Sequence, residues 1–419
     1  MTPAPHPRQG AATVRLTDAT GAPAAHEPVL VEQRSHAFGF GCTAFELIPG
    51  GAAADPAHTA REAAQWLAVF NRATLPLYWR WFETVPGRPD THRIAATARW
   101  LRGHGVRVKG HPLLWHTLAP EWLLGRSERD VENTVRARIA RDAAAFSGII
   151  EEFDAINEAV ILPVFTAEDN AITELAKARG RVEVVRLAFE TARAANPSAR
   201  LVLNDFNFSA EYEHLIEECL AAGIEIDALG LQTHMHQGYR GAEQVTEILD
   251  RFGRFGLPLQ LTETSLVSGA LMPAEIVDLN DYVVDAWPST PEGEERQARE
   301  LEAHYRTVWD HPAVESITWW SLQDRGQWLD APAGLIRADG TPKPSYDVLR
   351  DLVTREWWHG PAAAVTDADG NLRIEGAAGE YRVTWSGGEV DVDVVASTAH
   401  HAAGATADST ASAIASARG

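Results

Sequence analysis

The sequence predicts an α/β fold: a (β/α)8 barrel with a small N-terminal β-hairpin and a small C-terminal β appendage. Three observations predict it. Between residues 36 and 358, eight short apolar runs alternate with eight amphipathic helical stretches, and strands that alternate with helices build parallel sheets. Polar and aromatic residues gather at the C-terminal ends of those runs, the rim where such barrels carry their chemistry. The length of 419 residues suits one barrel of roughly 250 residues with insertions and an appendage. A doubly wound open sheet is the alternative that alternation by itself leaves standing.

The elements follow in order. Residues 12–33, ATVRLTDATGAPAAHEPVLVEQ, alternate apolar and polar positions around a DATGAP turn, so a hairpin is expected within 1–35. The barrel occupies 36–358. Its strand candidates are FGFGCTAF, VFNRATLPLYW, VRVKGHPLLWH, EFDAINEA, ARLVLNDFNF, IDALGLQTH, LPLQLTETS and ESITWWSLQD. Stretches such as HTAREAAQWLAVF and GRVEVVRLAFETARAANP place apolar residues at helical spacing between them. EGEERQARELE, near 292–302, reads as a solvated helix face.

Beyond EWWHGP the pattern changes. NLRIEGAAGEYRVTWSGGEVDVDVV alternates strictly with Gly-containing turns, which suggests three short strands in a module over 359–395. That module is too small for a robust core of its own, so it docks on the barrel or pairs with the N-terminal hairpin. The Ala/Ser/Thr-rich stretch 396–419 reads as a disordered tail.

Composition removes several classes of function. Asp and Glu number 58 against 37 Lys and Arg, a net charge of −21, which argues against a nucleic-acid partner because phosphate binding needs clustered cations. Cys42 and Cys219 offer no disulfide framework. The N-terminus lacks the apolar segment of a signal peptide, and no stretch is long and apolar enough to span a membrane. A cytoplasmic protein without a membrane partner is expected. Fourteen Trp are many for one chain, and aromatic faces suit stacking on sugar rings as well as core packing.

Candidate site residues come from the run ends. The third run ends in His111, Trp115 and His116, and the fourth in Asn157 and Glu158. The fifth supplies Asn204, Asp205 and Asn207, the sixth Gln232 and His234, and the seventh Glu263. The eighth ends in Trp320, followed by Asp324 and Trp328. A lone Asn-Glu pair at a strand end is more often a helix cap or a solvated loop. Together, however, these residues put two carboxylic acids, several amides and several aromatics on one rim. Cleavage of a glycosidic bond needs such a pair, one acid protonated for the leaving oxygen and the other ionised at the sugar carbon. Of Tyr78, Trp79 and Trp81, at least one belongs in the core, since alternate strand residues face opposite sides.

VKGHPLLWH, FDAINEAV, LNDFN, GLQTH, LTET and TWWSLQDRGQW resemble, in order, the motifs of glycoside hydrolase family 10, the retaining endo-β-1,4-xylanases. The resemblance runs from about residue 36 to 357. It implies a (β/α)8 barrel that needs no cofactor and acts on a carbohydrate or glycoside. By position, Glu158 is the general acid/base and Glu263 the nucleophile. His111, Trp115, Asn157, Asn204, Gln232 and His234 line the sugar pocket, and Trp320 and Trp328 form its aromatic wall.

Four positions depart from the family pattern. Pro76 and Leu77 stand where a Glu-Asn pair grips non-reducing-end xylose, and Arg80 stands at a substrate-binding Lys, keeping the charge but not the shape. Ser265 replaces the Asp that holds the pocket His. The chemistry is therefore expected intact, on xylo-oligosaccharides or a related glycan, with a glycosidase of altered specificity, for instance for a glycosylated plant metabolite, as the alternative. Readings of other classes are a non-catalytic carbohydrate-binding barrel and a zinc-dependent hydrolase using His111, His116, His234 and His236.

Overall fold

A computed structural model of the chain describes residues 6–49, 56–396 and 414–415. Two strands precede the barrel, β1 (Gln9–Leu16) and β2 (Pro28–His36). The barrel strands are β3 (Gly39–Thr43), β4 (Arg72–Pro76), β5 (Arg107–His111), β6 (Glu152–Asn157), β7 (Arg200–Asp205), β8 (Ala228–Met235), β9 (Leu259–Leu266) and β10 (Val314–Trp319). They are parallel and close in sequence order, with β10 pairing both β9 and β3. Every residue of β3, β6 and β9 is buried, as expected of strands covered on both faces. Helices such as Glu128–Ala145, Arg181–Ala195 and Pro291–Asp310 cover the outside. Ser127 and Thr290 start two of them by accepting the N–H groups of Asp130 and Gly293, which satisfies donors the first helical turn leaves open.

Two bulges aim polar residues inward. Opposite β7, Asp154 faces Val202, Ile156 faces Leu203 and Asn157 faces Asn204, so Ala155 is an extra residue. Without it, Asp154 and Asn157 would point to opposite sides of the sheet; with it both face the interior. In β9 the register steps from Leu261 to Glu263 against Leu231 and Gln232, with Thr262 extra. This brings Gln260 and Glu263 to the same side. The lower barrel interior is polar as well. Arg72 pairs with Glu152, Lys109 Nζ lies 2.6 Å from Asp154, and Gln260 donates to Glu152 (2.9 Å) and Glu315 (2.8 Å). Buried charges persist only when paired in this way.

The chain outside the barrel forms a second body. β11 (Ala362–Val365), β12 (Asn371–Ala377), β13 (Gly379–Trp385) and β14 (Gly388–Val394) follow the last barrel helix. β1 pairs with β12 and with the short β15 (Ile414–Ala415), whereas β2 lies between β11 and β13. The two sheets enclose Val14, Leu16, Val31, Leu372, Tyr381, Val383 and Trp385. β1 and β2 therefore do not form the expected hairpin ladder: the chain between them crosses from one sheet to the other. Alternation fixes which face of a strand is buried, but not which strand becomes its neighbour. Most of the stretch 396–419, expected as a tail, lies outside the described residues. Among the described residues no helix is long and apolar enough to cross a membrane.

Candidate active site

The strand ends bring the two glutamates into one hydrogen-bonded network. Glu158 follows β6 directly, with φ of 56°, a left-handed conformation that costs a non-glycine residue of order 1 kcal/mol or more. Its backbone N–H donates to Asn204 O (2.8 Å) and that of Asn157 to Leu114 O (2.9 Å), which holds the turn. Trp115 Nε1 donates to Glu158 Oε2 at 2.8 Å, and the amides of Asn157 and Gln232 reach Oε1 at 3.3 Å each. Gln232 also donates to Asn157 Oδ1 (2.9 Å), as does Asn204 (2.7 Å). The second Asn204 donor contact is Glu263 Oε1 at 3.0 Å. One chain of amides thus joins the two carboxyl groups. Gly230 makes room for it: a Cβ there would lie 2.3 Å from Asn204 Oδ1.

Glu263 receives its other contacts from two histidines. His111 Nδ1 lies 2.7 Å from Asp154 Oδ2, which turns Nε2 toward Glu263 Oε1 at 3.9 Å. His234 Nε2 lies 3.2 Å from Glu263 Oε2, and its Nδ1 lies 2.9 Å from Ser265 Oγ. A hydroxyl can donate to Nδ1 and leave Nε2–H for the carboxylate; an aspartate at 265 would instead require a proton on Nδ1. Ser265 thereby still holds the ring at Nδ1.

Environment separates the two acids. Their side chains are 14% and 7% exposed, respectively. Burial pushes Glu158 up to about 8, with the charges of Glu263 and Asp205 adding to it against the Trp115 hydrogen bond. Burial also acts on Glu263, but His111, His234 and Asn204 outweigh it and hold this carboxyl below its ordinary range. At neutral pH one carboxyl is protonated and the other ionised.

Aromatic rings surround the pair. Trp320 meets His111 edge-on (centroids 5.4 Å apart) and His234 at 6.0 Å, and Trp328 lies 5.0 Å from His234. Nearly all the residues expected from sequence therefore converge: His111, Trp115, Asn157, Asn204, Gln232, His234, Trp320 and Trp328. Arg80 does not join them. Its guanidinium pairs with Glu168 (2.9 Å) and donates to Ala119 O (3.0 Å). Asp205 instead accepts the N–H groups of Val160 and Asn207, Asn207 caps Ser209 N, and Asp324 pairs with Lys343 at 2.6 Å. His116 packs on Phe165, 3.7 Å from Glu158. Among the described residues no three His, Cys, Asp or Glu converge as metal ligands would, so the four histidines of the zinc alternative have no ligand set there.

Asp154 and Thr262 escaped the sequence reading. Asp154 aligns His111, and Thr262 Oγ1 donates to Asn204 Oδ1 at 2.6 Å. The available signal was the crowding of Glu152, Asp154 and Asn157 into one otherwise apolar run.

The sequence model of glycosyl hydrolase family 10 matches residues 64–352. Endo-1,4-beta-xylanase C of Paenibacillus barcinonensis is 25% identical over 350 residues, 70% of this chain and 31% of that protein. Endo-1,4-beta-xylanase B of Cellvibrio japonicus is 29% identical over 268 residues, 62% of this chain and 39% of that protein. The anti-sigma-I factor RsgI6 of Acetivibrio thermocellus is 24% identical over 384 residues, 88% of this chain and 44% of that protein. The chain thus spans less than half the length of these curated relatives. Two solved structures share the fold: a GH10 structure from P. barcinonensis (TM-score 0.63, 22% identity, 76% of this chain and 96% of that one) and xylanase 10B from Thermotoga petrophila in complex with xylobiose (TM-score 0.62, 21% identity, 76% and 94%).

Proposed function

Because this chain belongs to glycosyl hydrolase family 10, we propose that it is a retaining, xylanase-like β-glycosidase acting on xylo-oligosaccharides or a related glycan. The observation that carries the reading is the amide network of Asn157, Gln232 and Asn204 that joins Glu158 to Glu263, with burial pushing the first carboxyl up and His111, His234 and Asn204 holding the second down. Glu158 would give its proton to the departing glycosidic oxygen while Glu263 attacks the sugar carbon and forms a glycosyl ester. Glu158, now ionised, would take a proton from water, which opens the ester with the original configuration restored. Asn157 and Asn204, which link the two acids, would read a sugar 2-hydroxyl, and Trp320 and Trp328 would offer stacking faces.

The xylan-like substrate rests on the relatives' named activities, while Pro76 and Leu77 remove the polar side chains that would read a second xylose. The deciding experiment is hydrolysis of aryl β-xylobioside, β-xyloside, β-glucoside and β-cellobioside by wild type, Glu158→Ala and Glu263→Ala. The reading expects Glu263→Ala to abolish turnover while remaining folded. Full activity in that variant would remove the mechanism. Tight sugar binding with no turnover in wild type would favour the carbohydrate-binding alternative.

A further inference from the structure

Tyr78 is the aromatic side chain in the cleft that the reaction scheme leaves without a role. It follows Leu77, whose side chain is fully buried and whose N–H donates to His111 O at 2.6 Å. The Tyr78 ring contacts residues that position each acid: His111 edge-on and Trp115 tilted, both with centroids 5.7 Å away. The side chain is half-buried, and its hydroxyl has no hydrogen-bond partner among the described residues, which leaves the O–H open to a ligand. Burial first, then the charges of Glu263, Glu158 and Asp154, push the phenol well above its usual range. The O–H accordingly stays protonated, a donor near enough to feel the charges of Glu263, Glu158 and Asp154.

The same ring closes a wall. Phe45 meets Tyr78 edge-on at 5.9 Å and Trp320 edge-on at 5.7 Å. With Trp115 this makes a continuous run of rings over the ends of β3, β4, β5 and β10. Such centroid separations are van der Waals contact for edge-on rings, so no sugar passes between them. Trp81, 63% exposed, touches this wall through Tyr78 (5.7 Å) and lies outside it.

We propose that Tyr78 is a substrate-contacting specificity residue: its hydroxyl donates to the sugar held between Glu158 and Glu263, and its ring, with Phe45 and Trp320, stops the cleft after that one sugar. This rests on the glycosidase reading above and adds the mode of action: the enzyme removes single sugar units from one end of a β-linked oligosaccharide.

The test digests end-labelled xylohexaose beside aryl β-glycosides and follows products from the first turnovers. Monosaccharide released from one end, with no internal fragments, is the expected result. Cleavage of an aryl monoglycoside but no oligosaccharide overturns the single-unit release from oligosaccharides. A mixture of di-, tri- and tetrasaccharides from the outset overturns it while leaving the glycosidase reading intact, whereas loss of all Glu263-dependent cleavage removes that reading itself. Tyr78→Phe keeps the wall and deletes one hydrogen bond, so kcat/KM should fall roughly 3- to 10-fold with single-unit release preserved; an unchanged kcat/KM refutes the contact. Tyr78→Ala, or Phe45→Ala should the former fail to fold, breaches the wall and should yield disaccharide. Trp81→Ala should change neither rate nor products; a higher KM for long substrates alone would mean that the chain climbs over Tyr78 onto Trp81.

Discussion

Asn204→Ala tests the amide network at its centre. Asn204 is fully buried and makes three contacts: it donates to Asn157 Oδ1 and Glu263 Oε1 and accepts from Thr262 Oγ1. Alanine removes all three. Asn157 keeps its bond from Gln232, but the Thr262 hydroxyl loses its acceptor and Glu263 loses its amide donor. A buried unsatisfied hydroxyl costs about 1–3 kcal/mol, and a hydrogen bond to a charged group is worth about 1.5–3. The first cost falls on folding alone. The second falls only on the ionised form of Glu263, and at 1.36 kcal/mol per unit it raises that carboxyl by about one to two pKa units. The free enzyme's acidic limb in kcat/KM reports this group, so the limb should move to higher pH by about that amount. An aryl glycoside with a good leaving group suits the assay, because its cleavage leans little on the Glu158 proton. Thr262→Val is the control: it should lower stability without moving the limb. An Asn204→Ala enzyme whose acidic limb stays at the wild-type position would refute the idea that this amide stabilises the nucleophile.

Three other predictions concern the same centre. On oligosaccharides, whose leaving groups need the proton, wild-type activity should persist through neutrality, fall as pH rises through about 8 with ionisation of Glu158, and fall at the acid end only below the ordinary carboxylate range. Because the Glu158 pKa is raised on folding, its protonated form contributes fully below about 4.5 and stability is lost as pH rises through about 8; Glu158→Gln should therefore raise Tm by several degrees at pH 9 and not at pH 4, as thermal unfolding at both values will show. Gly230→Ala forces Asn204 to move, since its Cβ would lie 2.3 Å from Oδ1; kcat/KM should drop on the order of 100-fold through misplacement of the acids, while circular dichroism reports a retained fold.

The barrel was legible because its physics is local. Eight runs with helical stretches between them suffice, and catalytic groups sit where strands end. Asp154 was not legible, because strict alternation puts it on the face opposite Asn157 and only the extra residue Ala155 brings them together; a bulge leaves no period in the sequence. Arg80 was assigned by position along the chain, but its partner Glu168 stands on a loop 88 residues later. The N-terminal hairpin failed for a related reason. β1 and β2 each carry one apolar face, and that pattern is satisfied equally by pairing together or by facing each other across a sandwich.

That sandwich also imposes an order on the birth of the protein. β1 finds its antiparallel partner at Asn371–Ala377 and β2 its partners at Ala362–Val365 and Gly379–Trp385, so both are synthesised a whole barrel ahead of the strands that cover them. At roughly 5–20 residues per second, two amphipathic strands wait with open edges for on the order of tens of seconds. Unpaired edges of that kind recruit other chains. The sandwich is thus the last seam to close, since the strands that cover β1 and β2 are made only after the barrel is complete.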